Sequence, residues 1–317
     1  MAKEKKAFSE LMKKIQAGEF VYTGELEPHR SIDLSDVISW AKTLKETGRI
    51  TAANVTDNPK SDSAISSLVA SYIIQRETGL EMIYQLRTAD RNRLALVSDI
   101  LGAAALGLKN ILALTGDHTK TGTTPGAKPV FDLDGTNLVR LVHTMVYEGK
   151  DLWGNEIHGP RPELNVGAAG NPGMEPLEAE VLKLERKAEA GADFFQTQAV
   201  FDVEIARRFL RAIEHIGVPT LIGIFPPRTY GQAEFFDKFV PGVSVPAEFM
   251  EAFAKFKELP KEKRREKINE FNVDYFVAFI KEIKKERACA GCHIMAVGYP
   301  EVIGPIIEGV EKKKASK

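Results

Sequence analysis

Cysteine is nearly absent: the 317-residue chain has two, Cys289 and Cys292. A secreted disulfide framework is therefore excluded, and a cytoplasmic location is expected. Charge of one sign is also missing, since 43 Lys+Arg and 44 Asp+Glu leave a formal net charge of -1. That balance gives no reason to expect nucleic acid or an anionic membrane as the main partner. No apolar run approaches the ~18 residues of a membrane span. The N-terminus, MAKEKKAFSELMKKIQ, is basic and then amphipathic, without the apolar segment of a signal peptide. Histidine is sparse, with His29, His118, His143, His158, His215 and His293 scattered and no HxH or HExxH spacing. Metal catalysis is disfavoured, and no metal ligands are assigned. A GxSxG elbow is missing too, so a serine triad has little support.

What remains is a chain rich enough in apolar residues, 44%, to fill a large core. Strand-like runs alternate with longer helical patterns. The runs are 20–28, 50–57, 80–88, 110–117, 163–172, 192–201, 219–227 and 291–298. Helical patterns follow at 34–47, 64–78, 91–106 and 136–147, in a long helix ending at Gly191, at 203–216, and with interruptions to about 287. A last helix is expected over 301–311. Glycines 48, 79, 107, 191 and 217 each end a helix just before the next apolar run. Eight such units predict a (β/α)8 TIM barrel rather than a doubly wound sheet, which usually has fewer strands and a glycine fingerprint after the first. One domain over 1–317 is expected, with a helical extension over 1–19, extra helices before the last strand and a frayed basic tail at 312–317. The charged stretch 255–287 reads as a solvated helix pair with i,i+4 ion pairs.

In a barrel, chemistry collects at the C-terminal strand ends. Those ends carry Glu25 and Glu27, Thr56 and Asp57, Gln85 and Arg87, and Thr115, Gly116 and Asp117. Gly170 and Asn171, Gln196 and Gln198, Arg228 and Tyr230, and His293 complete the ring. Glu25 and Glu27 stand at i,i+2 and share a face. If that face is the interior, a crowded carboxyl should have a raised pKa and suit a general acid. The alternative is that one of them is ion-paired. The glycine-rich loop after TGD (115–117) can hold a phosphate or a polar cofactor edge on backbone N–H groups. Two glutamines in the buried strand DFFQTQAVFD need partners, which a bound heterocycle can supply.

The segments TGELEP (23–28), NVTDNP (54–59), DRNRLALVSDILGAAALGLKNILALTGD (90–117), PGAKPVFDLD (125–134), GAAGNP (167–172) and ERKAEAGADFFQTQAVFD (185–202) together resemble methylenetetrahydrofolate reductases. The resemblance covers about residues 20–300. It implies a flavoenzyme of one-carbon metabolism that reduces 5,10-methylenetetrahydrofolate to 5-methyltetrahydrofolate by hydride transfer from flavin N5, upstream of methionine biosynthesis. FAD is the implied cofactor ahead of FMN, and NADH or NADPH the implied donor. An electron-delivering partner subunit in place of the nucleotide, a homo-oligomer, and a non-redox folate-binding or methyl-transfer barrel are the other readings.

By motif, the resemblance makes Glu25 the general acid and Asp117 a carboxylate near flavin and pterin. It places Gln198 on the pterin edge and Tyr230 as a stacking aromatic. Flavin would be held by Thr56, Asp57, Gln85, Thr115, Gly116, Asp117, Phe131, Asp132, Ala169, Asn171, Glu180 and Lys187. The chain departs from the best-known members at Gln85 and Asn171, often histidine, at Thr115, often arginine, and at Glu180, often aspartate. Met295 and Tyr299 stand near positions that elsewhere hold a tyrosine and an arginine. Cys289 and Cys292 have CxxC spacing. They read as a redox dithiol, as part of a metal site with His293, or as two small buried residues entering the last strand.

Overall fold

The computed structural model describes residues 5–312. Eight parallel strands close into a barrel in chain order. They are β1 (Val21–Leu26), β2 (Ile50–Val55), β3 (Glu81–Arg87), β4 (Asn110–Leu114), β5 (Asn165–Gly170), β6 (Phe194–Ala199), β7 (Thr220–Ile224) and β8 (Cys289–Ile294). β1 closes the ring on β8, with Thr23 opposite His293. Helix α1 (Glu10–Gln16) precedes the barrel. The intervening helices are α2 (Ser35–Glu46), α3 (Ser67–Thr78), α4 (Arg93–Ala105), α5 (Gly135–Tyr147), α6 (Leu177–Ala190) and α7 (Val203–Ile213). Three helices, α8 (Tyr230–Phe239), α9 (Ala247–Lys257) and α10 (Lys261–Ile283), lie between β7 and β8, and α11 (Ile303–Glu311) follows β8.

The strands carry two different faces because side chains alternate with period 2. Outward residues such as Tyr22, Val55, Tyr84, Ile111, Val166, Phe195, Ile222 and Ile294 pack with the helices in the main core. Inward residues Val21, Ala52, Ile83, Leu112, Phe194 and Leu221 form a separate apolar layer at the N-terminal end. Phe194 fills the space beside Gly167, where a Cβ would lie 2.4 Å from its ring.

The N-terminal extension is part of the barrel. Leu11, Met12 and Ile15 of α1 pack into that apolar layer. The Asn165 amide oxygen accepts from the Phe8 and Ser9 N–H groups at 2.8 and 3.2 Å. The Glu81 carboxylate accepts from the Glu10 and Leu11 N–H groups at 2.8 and 3.1 Å. These are the orphan donors of a helix start, where a carboxylate is favoured.

The five glycines expected to end helices all take positive φ, from 65° at Gly79 to 112° at Gly191. Side chains cap the starts of several helices, as at Asn92, Asp134, Asp202 and Thr229, though Ser66 before α3 does not.

Two expectations need correction. The last strand begins at Cys289, two residues before the predicted run, so both cysteines belong to it. The stretch 255–287 is not a solvated pair but the end of α9 and one 23-residue helix, α10. α10 buries Ile268, Asn272, Phe276, Phe279, Ile280 and Ile283, and its aromatics pack edge-on with Phe249 of α9. Its own ion pair, Lys267–Glu270, is spaced i,i+3, and others reach neighbouring elements, as Arg265 does to Glu301. The apolar stripe was masked because charges outnumber it. The tail at 313–317 lies outside the described residues.

Candidate active site at the C-terminal mouth

Above the apolar layer the barrel interior turns polar. Thr23 and Glu25 of β1, Asn54 of β2, Gln85 of β3, Gln196 of β6 and His293 of β8 face one another. The amides of Asn54 and Gln196 bond reciprocally: Asn54 Nδ2 donates to Gln196 Oε1 at 2.7 Å, and Gln196 Nε2 to Asn54 Oδ1 at 3.0 Å. Gln196 Nε2 also donates to Thr23 Oγ1 at 3.2 Å. Thr23 Oγ1 lies 3.0 Å from His293 Nδ1. One carboxylate oxygen of Glu25, Oε2, lies 3.4 Å from both His293 Nε2 and Gln85 Nε2. The Glu25 side chain is 16% exposed, so it stands at the boundary between interior and mouth.

Of the resemblance's residues, the structure brings Glu25 and Gln85 into contact. Burial pushes the Glu27 carboxyl up, the Lys60 ammonium opposes this, and the nearby Glu25 adds to it. Thr56 and Asp57 are both buried at the end of β2. The Thr56 hydroxyl has no partner among the described residues. Asp57 is committed to the frame, its carboxylate gripped by Arg91 Nη1 at 2.6 Å and Nη2 at 3.3 Å and by the Arg87 N–H at 3.2 Å. Arg87 in turn donates to the Asn58 carbonyl at 2.7 Å.

After β4, Thr115, Gly116 and Asp117 are exposed. Thr115 Oγ1 accepts from the Gly135 N–H at 3.0 Å, and the Asp117 carbonyl from Ser61 Oγ at 2.8 Å. Gly116 has φ 87°, and a Cβ there would lie 3.0 Å from the Arg87 side chain, so any other residue would be strained. Phe131 holds φ 43° with its ring stacked on His118. Asp132 faces away, paired with Arg93 Nη2 at 2.6 Å, whose hydrogen bonds pull its carboxyl down to about 2.

On the far rim, Lys187 is half-buried and donates to the Ala169 carbonyl at 2.7 Å, and burial depresses its pKa. The Glu180 carboxylate accepts from the Asn171 N–H at 2.9 Å and lies 3.3 Å from Lys183. Asn171 Nδ2 donates to the Pro241 carbonyl at 2.9 Å, while its Oδ1 is buried without a partner. Gln198 is half-buried and accepts from the Ala199 N–H at 2.9 Å. Tyr230 is not brought to Glu25. It lines a cavity of about 480 Å³ between α8, α9 and α10, with the Lys257 ammonium 5.6 Å from its ring.

Sequence reasoning missed Thr23 and Asn54 as site residues. The signal was present, because each lies two positions before a strand-end residue that was chosen, Glu25 and Thr56. It also assigned Gln196 to a ligand, whereas that amide is satisfied by Asn54 and Thr23. Cys289 and Cys292 are buried, and burial pushes their thiols up, Cys289 to about 12. They pack in the outer core while His293 faces inward. Among the described residues no helix is long and apolar enough to cross a membrane.

The fold is a closed parallel barrel with an inward glutamate and a cluster of amides at its C-terminal mouth, the end at which such barrels carry their sites. The family model for methylenetetrahydrofolate reductase matches residues 10–311, and the chain belongs to that family. A Caenorhabditis elegans protein named probable methylenetetrahydrofolate reductase (NADPH) is 29% identical over 184 residues, 56% of this chain and 24% of that one. Methylenetetrahydrofolate reductase (NADH) 1 of Zea mays is 30% identical over 131 residues, 39% of this chain and 21% of that one. Methylenetetrahydrofolate reductase 1 of Schizosaccharomyces pombe is 23% identical over 242 residues, 73% of this chain and 37% of that one. The chain thus spans between 21% and 37% of the length of these relatives. In fold it is similar to an uncharacterised Clostridium thermocellum protein that binds two copies of 5-methyl-5,6,7,8-tetrahydrofolic acid. The TM-score is 0.63 at 16% identity, covering 95% of this chain and 99% of that one.

Proposed function

We propose that the chain catalyses flavin-dependent reduction of 5,10-methylenetetrahydrofolate to 5-methyltetrahydrofolate in the cytoplasm, with Glu25 as general acid. The observation that carries this reading is the placement of Glu25, inward at the mouth and partly exposed, with two nitrogens on one of its oxygens.

The rim residues fit a flavin. Among the described residues Thr56 Oγ1 and Asn171 Oδ1 are buried without partners, and a flavin ring edge offers carbonyl oxygens to a hydroxyl and an N–H to an amide oxygen. Lys187 is a half-buried cation with its ammonium on the Ala169 carbonyl, and a phosphate would add a charged partner. Thr56, Gln85, Thr115, Gly116, Asp117, Ala169, Asn171 and Lys187 would hold the cofactor, FAD ahead of FMN. Asp57, Asp132 and Glu180 would support it at one remove, through Arg91, Arg93 and the Asn171 backbone. A bound flavin supplies the hydride chemistry.

Glu25 gives its proton to one of the two nitrogens that share the substrate's methylene. The carbon–nitrogen bond opens, the electron pair leaves with the protonated nitrogen, and an iminium remains on the other. The iminium carbon accepts the hydride and becomes the methyl group. Asp117, exposed at the mouth, favours the cationic intermediate. Gln198 would bind the pterin edge, and Tyr230 would stack on substrate or donor if α8 shifts toward the mouth.

NADH or NADPH is the first reading for the donor. One observation favours delivery by a partner subunit instead: Tyr299 is buried, with its hydroxyl on Asn269, so the loop after β8 offers the mouth no aromatic at that position. Glu25→Gln separates the half-reactions. It should retain flavin binding and reduction yet lose folate reduction. Normal folate turnover in that variant would overturn the acid assignment. A colourless protein that still binds methyltetrahydrofolate would instead make this a non-redox folate-binding barrel.

A further inference from the structure

His293 is 3% exposed, and the reading above gives it a contact with Glu25 but no part in moving the proton. It is surrounded by groups that leave its ring little freedom. Thr23 and Asn54 are fully buried and Gln196 is 3% exposed, so their bonds are shielded from bulk solvent. Gln196 Oε1 is taken by the Asn54 amide, which turns the Gln196 NH2 toward Asn54 Oδ1 and Thr23 Oγ1. With Thr23 Oγ1 accepting from Gln196, its hydroxyl hydrogen is free to turn to His293 Nδ1, 3.0 Å away. A ring whose Nδ1 accepts carries its proton on Nε2 when neutral. That nitrogen faces Glu25 Oε2.

We propose that His293 is a positioning residue for Glu25: its Nε2–H, fixed by the Thr23–Gln196–Asn54 chain, holds Oε2 and leaves Oε1 as the oxygen that carries and delivers the proton. This rests on the reading of Glu25 as the acid. Gln85 Nε2 donates to the same Oε2, and among the described residues no donor reaches Oε1. Two donors on one oxygen make it the acceptor end of the carboxyl, so the acid proton resides on the other. Both 3.4 Å separations are long, as catalytic hydrogen bonds often are before substrate binds. Glu27 also lies within electrostatic reach of Glu25, and Lys60, His29 and Asp62 act on Glu27 in turn. A ring fixed in one tautomer thereby sets both the orientation and the proton-bearing oxygen of the acid.

The direct test is nitrogen-15 NMR of histidine-labelled protein as isolated, with His293 assigned by substitution. The expected result is a neutral Nε2–H ring near pH 7 that loses this fixed tautomer in Thr23→Val. A ring protonated on Nδ1, or an imidazolium at that pH, would overturn the proposal, since Nε2 would then accept from Glu25 or carry full charge. Kinetics give the second readout. His293→Phe should lower kcat of folate reduction on the order of tenfold or more. It should shift the acid limb of the pH profile, change KM less, and leave flavin reduction intact. His293→Gln, which can still donate to Oε2, should recover part of kcat. An unmoved pH profile and kcat in His293→Phe would also overturn it. If Glu25→Gln abolishes folate reduction while His293→Phe does not alter it, positioning alone fails. If Glu25→Gln is harmless, the acid reading itself has failed.

Discussion

The two ends of the barrel use the same backbone for opposite purposes. At the N-terminal end, Val21, Ala52, Ile83, Leu112, Phe194 and Leu221 point inward and meet Leu11, Met12 and Ile15 of α1. Two residues along the same strands, Thr23, Asn54, Gln85 and Gln196 point inward instead, joined by His293 and, one pleat higher, by Glu25. Polar side chains occur at both ends but are spent differently. Asn165 and Glu81 bind the chain's own N-terminal backbone, whereas Thr56 and Asn171 keep buried oxygens without partners. Backbone strain follows the same division. The non-glycine residues with positive φ are Asn58, Lys60, Ser61 and Phe131, all in loops at the C-terminal mouth. Such conformations cost about 1–3 kcal/mol each and persist where the surroundings enforce them. The closed end supplies stability, and the open end holds its polar groups ready for a ligand.

Substitutions can break or sharpen this division. Glu25→Gln should lower folate reduction by about 10²–10⁴ with little change in melting temperature. A large loss of stability there would erase the distinction between the ends. Asp57→Ala strands Arg91 in a largely buried site. Removing one partner of a buried pair costs roughly 3–5 kcal/mol. Asp90 and Asp99 also touch Arg91, which places the loss toward the lower limit. Denaturant unfolding measures it. Unchanged stability with weakened flavin affinity would return Asp57 to the ligand. Leu11→Ala should destabilise the closed end by about 2–5 kcal/mol and leave kcat of the folded fraction unaltered. A fall in kcat at constant folded fraction would show that the ends are coupled.

The smallest effect concerns Glu27. Burial raises its folded pKa above the ordinary 4.5, so the folded chain holds that proton more tightly than the unfolded chain. Its contribution is full below the unfolded pKa and is lost as pH climbs through the folded one. Glu27→Gln should therefore raise the melting temperature at pH 7 and not below pH 4. An equal change at both pH values would assign the effect to packing.

The barrel was legible in the sequence because glycine punctuation and period-2 runs are local signals. The predicted runs overshoot the strand ends by one to four residues, in part because the chain stays buried past the last strand residue, as at Thr56–Asp57. α10 was misread because its apolar stripe is diluted by charge. At the site, Glu25 and Gln85 were recognised by motif and meet in space. Asp57 and Asp132 were assigned to a cofactor but are bound by Arg91 and Arg93, and only three-dimensional proximity reveals those partners. The inward layer at Thr23, Asn54 and His293 joins strands that are far apart in sequence, so no local pattern announces it.

The most direct measurement is an anaerobic absorbance spectrum of the purified protein through one cycle. NADH, then NADPH, then dithionite are added until flavin bands bleach, and 5,10-methylenetetrahydrofolate follows. Bands that bleach and return on adding the folate, with 5-methyltetrahydrofolate formed in equal amount, are the expected result. The reductant that first bleaches them identifies the donor class. A protein that binds neither FAD nor FMN, or a reduced flavin that the folate does not reoxidise, would contradict it.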